Sequence, residues 1–372
     1  MAHKLQIALV LETSGGGSGR HVLDLASGLA SRGHSVTVVW SPTRATDDFQ
    51  KDLREIPDLT LKTLPMSRSV GLQDRKALKA MTALFEQLPA MDVIHAHSSK
   101  AGALTRLLPK RIAGSRVYTP HAFRTMDPKL GRPQRFIYGT IERVLAAKGQ
   151  AVIAVSQFEY DHALELGIAP NCLHLVVNGA GLPRSTNRAT ARADMGLTEN
   201  DFVVGFVGRL VDQKDPLRFV EALNLAHTQN TSIKGVVLGD GALRAACEQM
   251  ALPNSVSFLG WQDAPSLIKG FDVFTMTSRY EAMPYTLIEA LHARLPIITS
   301  DVGGALETVR HGQNGALLPL DATPEVFAAA ILDLANTPGK LAAYQATSEA
   351  MAQMRTIGVM VDQTEAVYKS LT

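Results

Sequence analysis

The stretch Phe202-Val-Val-Gly-Phe-Val-Gly-Arg-Leu-Val-Asp-Gln-Lys-Asp-Pro216 starts as an uncharged apolar run, turns polar at Arg209 and reaches a proline. A run of that kind predicts a strand buried on both faces. Pro216, with fixed φ and no N–H, predicts the start of a helix. Strand, glycine-bearing polar loop and helix make one βαβ step, and steps of this kind assemble into a parallel sheet covered by helices.

The chain opens with the same phrase. Leu5 to Leu11 is an apolar run, Thr13-Ser-Gly-Gly-Gly-Ser-Gly19 is a glycine loop, Gly19 to Ser31 has helical periodicity, and Ser35 to Trp40 is apolar again. Further strands are predicted at Asp92 to His95, Arg116 to Thr119, Ala151 to Val155 and Leu173 to Val177. In the second half they fall at Phe202 to Gly208, Lys234 to Leu238, Val256 to Leu259, Asp272 to Met276 and Pro296 to Thr299. Between the halves, Pro183 to Asn200 lapses into polar residues and reads as a connector. The expected architecture is α/β, with two Rossmann-like domains whose parallel sheets face each other across a cleft. The first spans residues 1–182 and the second 183–350, and a terminal helix in 351–372 is expected to pack back on the first.

Composition narrows the class. At 372 residues the chain exceeds what one core usually serves, and 19% charged residues fit a globular protein. Cys172 and Cys247 have neither metal-ligand nor disulfide spacing, which points to a reducing compartment. The opening apolar run ends at Glu12 without a cleavage-like site, so it reads as a strand rather than a secretion signal. No window approaches the roughly 18 apolar residues of a membrane-spanning helix. The expectation is a cytoplasmic protein that at most docks on the inner face of the membrane.

Charge is uneven. Lys100 to Lys148 holds eleven basic residues against Asp127 and Glu142, a local excess of +9 in a chain of net +2. A solvated face accounts for this as well as a surface for anionic headgroups does. Nucleic acid is not expected, because no aromatic residues are regularly interleaved with the charges.

Among nucleotide-binding α/β folds, several chemistries drop out. The first loop sets Gly15 and Gly17 at dinucleotide spacing but has Arg20 at the third position, and Trp40-Ser41 stands where a ribose-binding acid would. There is no Gly-x(4)-Gly-Lys-[Ser/Thr], and no Asp-x-Asp to hold a metal on a diphosphate. Arg209 and Lys214, in a strand-to-helix loop, are then the candidates to clamp a diphosphate. Ser278-Arg-Tyr-Glu-Ala-Met-Pro-Tyr-Thr-Leu-Ile-Glu-Ala-Leu291 adds Glu281 and Glu289 around a helix that Pro284 should begin. Cations, carboxylates and a helix start together suit a phosphorylated sugar.

Arg209 and Lys214, Gly239-Asp-Gly241, Phe258-Leu-Gly260, the Glu281/Glu289 pair and Asp301-Val-Gly-Gly304 with Glu307 occur in the order seen in retaining glycosyltransferases of family 4, with the GT-B fold. Gly15-Gly16, His21 to Val36, His95-Ala-His-Ser-Ser-Lys-Ala-Gly102 and Tyr118-Thr-Pro-His121 extend the resemblance over nearly the whole chain. It implies that Glu281 binds donor-sugar hydroxyls with backbone N–H groups around Ala282 and Met283, just before Pro284, and that Glu289 binds the ribose. It implies that Arg209 and Lys214 clamp the diphosphate, approached by Gly15 and Gly16, and that His121 lies against the transferred sugar. The loop at Gly239 and the segment at Gly260 should flank the base. His121, Glu281, Arg209 and Lys214 form the catalytic set; no metal and no cofactor are expected.

The most similar pattern is that of bacterial enzymes building surface polysaccharide on a polyprenyl carrier. The expected donor is a nucleotide-diphosphate sugar, UDP before GDP, and the acceptor a saccharide or lipid-linked hydroxyl. Two other classes fit the same residues: a sugar-nucleotide 2-epimerase and a noncatalytic nucleotide-sugar-binding protein. His95 and His97 share a strand face and read as cleft lining without a metal, because a third ligand is missing. Arg20 and His21 suit phosphate or acceptor contact and helix-start packing equally.

Overall fold

The computed structural model describes residues 4–67, 71–181 and 187–372. It divides into two compact units, residues 1–178 with 357–372, and residues 179–356. The division follows Asn178, ahead of the expected boundary at Pro183, which falls on residues 182–186, outside the described residues.

The first unit carries a seven-stranded sheet: β1 (Gln6–Leu11), β2 (Ser35–Trp40), β3 (Leu59–Thr63), β4 (Val93–His97), β5 (Ser115–Thr119), β6 (Ala151–Ala154) and β7 (Leu173–Leu175). Their order is β3-β2-β1-β4-β5-β6-β7, and every pairing is parallel. The second unit has β8 (Phe202–Val207), β9 (Ile233–Leu238), β10 (Val256–Phe258), β11 (Val273–Met276), β12 (Ile297–Ser300) and β13 (Gly315–Leu318). Here the order is β10-β9-β8-β11-β12-β13, again all parallel.

In both sheets the strand order reverses beside the first strand, between β1 and β4 and between β8 and β11. At such a switch point the two neighbouring connections leave on opposite faces, opening a crevice at the carboxyl ends of the strands. The central strands β1, β4 and β8 are almost wholly buried; the apolar runs of β1 and β8 require it, whereas β4 buries His95 and His97 along with its apolar residues.

Two strands have no counterpart among those predicted. β3 alternates Leu-Thr-Leu-Lys-Thr with three of its five residues exposed, and β13 is a four-residue edge. β3 mixes its two leucines with polar residues, and β13 is an apolar run of four residues, which periodicity alone does not assign to a strand.

The polar stretch after Pro183 is not simply a connector. Arg188–Asp194 is a helix capped by Asn187, whose side chain accepts from Thr190 N at 2.8 Å. Arg192, 1% exposed, donates to the carbonyls of Gly270, Thr198 and Asp201 and pairs with Asp272 at 2.7 Å. A fully bonded arginine is buried there as a structural pin, which its charge concealed in the sequence.

The C-terminal helix Ile357–Leu371 belongs to the first unit. Met360, Val361, Val367 and Tyr368 join the core that contains β1 and the helix Gly17–Ser31. A Cβ on Gly28 would come within 2.5 Å of the Val361 side chain, so Gly28 lets these helices approach closely.

Candidate functional site

In the second unit, the loop after β8 and the segment after β11 leave adjacent strands at the switch point. They are stitched together by main-chain and side-chain bonds. Arg279 N donates to Gln213 O at 2.8 Å, Gln213 Nε2 to Tyr280 O at 3.1 Å, and Thr277 Oγ1 to the carbonyls of Lys214 and Asp215. Asp215, left-handed at φ 47°, ends the loop, and Arg218 and Arg279 flank its carboxylate.

This stitching brings Lys214 Nζ to 2.6 Å from Glu281 Oε1, with both side chains about nine-tenths buried. The contact is a charge pair without hydrogen-bond alignment, so Glu281 Oε1 keeps acceptor capacity. Arg209 is exposed just beyond β8. The hydroxyls of Ser278 and Thr286, on either side of Glu281, are buried without a hydrogen-bond partner. Buried hydroxyls are seldom left so, and these two gave no signal in the sequence.

Glycines shape the rest. A Cβ on Gly239 would lie 2.0 Å from Gly208 O, and one on Gly241 2.4 Å from Leu210 O. The loops after β8 and β9 are therefore pressed together backbone to backbone, with Gly239 N donating to Gly260 O at 2.7 Å. That is why the motif reads Gly-Asp-Gly. Gly304, at φ 83°, sits where a Cβ would come within 2.8 Å of Met283 Cα, and so seats the Ala282-Met283-Pro284 turn.

Pro284 differs slightly from expectation. It is the extended N-cap at ψ 126°, and the helix itself is Tyr285–His292. Glu281 stands before that helix and half-buried Glu289 lies in its second turn.

In the first unit, Gly15 and Gly16 are exposed at the start of the helix Gly17–Ser31, and Gly16 takes φ 77°. No atom lies within 4 Å of a Cβ at either, so their surroundings are open. The glycine that is tightly packed in this loop is Gly19, whose Cβ would meet Ser14 O at 2.1 Å.

Four histidines gather at the carboxyl ends of β4 and β5. The ring centroids of His21 and His121 lie 4.7 Å apart, those of His95 and His97 4.1 Å, and His97 Nδ1 is 3.1 Å from His121 Nε2. His21 Nδ1 meets Asn178 Oδ1 at 3.0 Å. His95 and His97 do share a strand face, but neither lines an open surface. Both are fully buried, and His95 is held between Tyr368 Oη at 2.6 Å and Thr119 Oγ1 at 2.8 Å.

Nor does His97 lack further ring nitrogens nearby. His21 and His121 join His97, and one ring nitrogen from each lies within 4.8 Å of the others. Helix and strand bring together residues that are far apart in the sequence, which spacing alone does not reveal.

Burial keeps this cluster neutral. It lowers the His21 pKa to about 4 against the opposing bond from Asn178, and it holds His95, His97 and His121 well below the usual imidazole value. Neutral imidazoles can donate from one nitrogen and accept at the other, which suits hydroxyl recognition.

The basic tract is only partly a surface. Arg106 pairs with Glu142 at 2.9 Å in the interior, and Arg116 is buried, with its guanidinium donating to the carbonyls of Ile112 and Gly114. Lys100 is spent on Asp74 at 2.6 Å. The helix Arg132–Ala146 exposes Arg132, Arg135 and Arg143 together with Phe136, Ile137, Ile141 and Val144; Phe136 is 75% exposed. Among the described residues no helix is long and apolar enough to cross a membrane.

Residues 16–179 match the family described as glycosyl transferase 4-like domain, and residues 201–337 match glycosyl transferases group 1. A UDP-Gal:alpha-D-GlcNAc-diphosphoundecaprenol alpha-1,3-galactosyltransferase of Escherichia coli is 30% identical over 263 residues, 66% of this chain and 67% of that protein. A D-inositol 3-phosphate glycosyltransferase of Rhodococcus jostii is 27% identical over 91% of this chain and 81% of its own length. The crystal structure of Anabaena HepE with UDP and glucose superposes with a TM-score of 0.81 at 22% identity, covering 98% of this chain and all of that one. The paired parallel-sheet units, the loop chemistry at their switch points and these matches lead to one conclusion: the chain belongs to the family 4 glycosyltransferases of GT-B fold and acts on a nucleotide sugar.

Proposed function

We propose that the protein transfers a sugar from a UDP-sugar to a hydroxyl of a lipid-linked saccharide or polyprenyl carrier, with retention of configuration and without a metal. The observation that carries this reading is the Lys214–Glu281 pair at the switch point of the second sheet. A nucleotide-diphosphate sugar needs a cation at its phosphates and an acceptor at its hydroxyls, and the pair presents both side by side.

Transfer builds negative charge on the departing diphosphate and positive charge on the sugar ring. Arg209 and Lys214 stabilise the first, while Glu281, with main-chain donors around Ala282 and Met283, holds the sugar hydroxyls. Glu289 binds the ribose, and the loop at Gly239 and the segment at Gly260 flank the base. In the first unit, Gly15 and Gly16 offer open backbone to phosphate, and neutral His121 contacts the transferred sugar. The leaving phosphate deprotonates the acceptor on the same face, which leaves Glu281 no nucleophilic role. The donor and acceptor classes follow the printed activity of the Escherichia coli relative.

A panel of UDP-, GDP- and ADP-sugars read by thermal shift tests the donor. A UDP-sugar at a hundred times its Kd should stabilise the protein by about 2.7 kcal/mol. Stabilisation by GDP- or ADP-sugars alone would contradict the reading.

The exposed helix Arg132–Ala146 supports a second element, docking on an anionic bilayer at the inner face of the membrane. Its arginines match phosphate headgroups, and Phe136, Ile137, Ile141 and Val144 supply apolar area for the interface.

A further inference from the structure

We propose that Glu159 is a positioning residue for transfer: by accepting hydrogen bonds from the backbone N–H groups of Ala122 and Val155, it holds the left-handed backbone on which His121 stands. The proposal rests on the reading of His121 as the residue against the transferred sugar.

Glu159 is the third residue of the helix Gln157–Glu165, whose N-cap Ser156 accepts from Glu159 N at 3.2 Å. In a Ser-x-x-Glu capping box the glutamate normally returns to the N–H of the cap residue. Here it goes elsewhere. Oε2 accepts from Val155 N at 2.9 Å, and Oε1 reaches across to Ala122 N at 2.6 Å, on the loop that follows β5.

That carboxyl is fully buried and has no ion-pair partner among the described residues, so burial pushes its pKa up to about 7. A buried acid without a cation is costly to keep, and helix capping alone would be served by a serine and an exposed glutamate. What it holds supplies the reason. His121 has φ 54° and Ala122 φ 89°, two successive side-chain-bearing residues in the left-handed region. Each is disfavoured for a residue with a Cβ, and such backbone persists only where its surroundings over-determine it. The Glu159 bond to Ala122 N fixes the peptide immediately after His121. This aims the imidazole at its neighbours His97 and His21.

The test compares His121→Ala, Glu159→Gln, Ala122→Gly and the double variant Glu159→Gln/Ala122→Gly. The readout is UDP release from whichever UDP-hexose best stabilises the wild type, normalised to folded protein. Glutamine keeps the volume but turns one acceptor oxygen into a donor facing an N–H. Glu159→Gln should lower kcat about 100-fold while leaving donor KM little changed. Glycine at 122 removes the Cβ penalty, so the double variant should recover about tenfold of that loss. A residue serving only to hold the fold together would lower melting temperature and leave kcat per folded molecule unaltered. That result, or a loss that Ala122→Gly does not relieve, overturns the proposal.

If Glu159→Gln does not accumulate, Glu159→Asp takes its place with the same two outcomes. His121→Ala separates the layers. Full activity in that variant would remove the reading of His121 itself, whereas loss in His121→Ala with none in Glu159→Gln would remove only the positioning role.

Discussion

At the scale of single residues, each unit carries a candidate group of its own character, one charged and one neutral. Lys214 and Glu281 are charged partners in the second unit, and the histidines of the first unit are kept uncharged by burial. The second group has a consequence for stability. Unfolding returns each imidazole to its ordinary pKa of 6.5, so the unfolded chain binds more protons below that value. The contribution of the cluster is full above pH 6.5 and is lost as pH falls through the lowered pKa values. For His21, lowered to about 4, it amounts to roughly 3 kcal/mol. Glu159 opposes this, since its raised pKa contributes stability below 4.5 that is lost as pH rises through about 7. With four lowered histidines against one raised glutamate, the urea midpoint should drop between pH 7.5 and pH 5. A midpoint that does not change across this range would show that the cluster is not buried in solution. The same histidines bear on metal use. Because one nitrogen of each of three rings lies within 4.8 Å of the others, chelation is the sharp control. Transfer should be unchanged by EDTA, and activity lost to EDTA and restored by Zn²⁺ would contradict metal-independent transfer.

At the scale of elements, what was legible depended on whether a residue type stated its own role. Most of the buried parallel strands announced themselves as apolar runs, and Gly239, Gly241 and Gly304 stood out as motif positions, although the backbone contacts they serve did not. The edge strand β3 carried too little apolar pattern, the four apolar residues of β13 were too few for periodicity to decide, and the helix Arg188–Asp194 was hidden because Arg192 is a charged residue doing a core residue's job. The Lys214–Glu281 contact was not legible at all, since it depends on β8 and β11 being neighbours. Two predictions belong to elements. Gly304→Ala should keep the fold yet cost about tenfold or more in transfer, because a left-handed Cβ would displace the Met283 turn; transfer at the wild-type rate would show that the turn tolerates the shift. Replacing Phe136 and Ile137 with Ser, or Arg132 and Arg135 with Gln, should each reduce sedimentation with vesicles of anionic lipid, the arginine pair in a salt-dependent way. Equal binding by all variants would remove this helix from docking. Arg116, though part of the basic tract, is a poor probe because it is buried.

At the scale of the whole molecule, the two units share a plan but not a chemistry. Each sheet reverses beside its first strand, and each reversal carries the residues that the family resemblance singled out. The last helix, Ile357–Leu371, is part of the first unit's core although the second unit precedes it in the chain, so the N-terminal half alone lacks Met360, Val361 and Tyr368. The sequence carried the family because its motifs recur in order, and it carried little of the histidine cluster because four rings from one helix and three separate chain positions meet only in three dimensions. The central claim is that Glu281 and Lys214 hold a nucleotide sugar for transfer. Glu281→Ala tests it most directly when UDP affinity and transfer rate are measured on the same preparation. The account predicts a fall of about 100- to 1000-fold in transfer with UDP affinity nearly kept; transfer at the wild-type rate would contradict it.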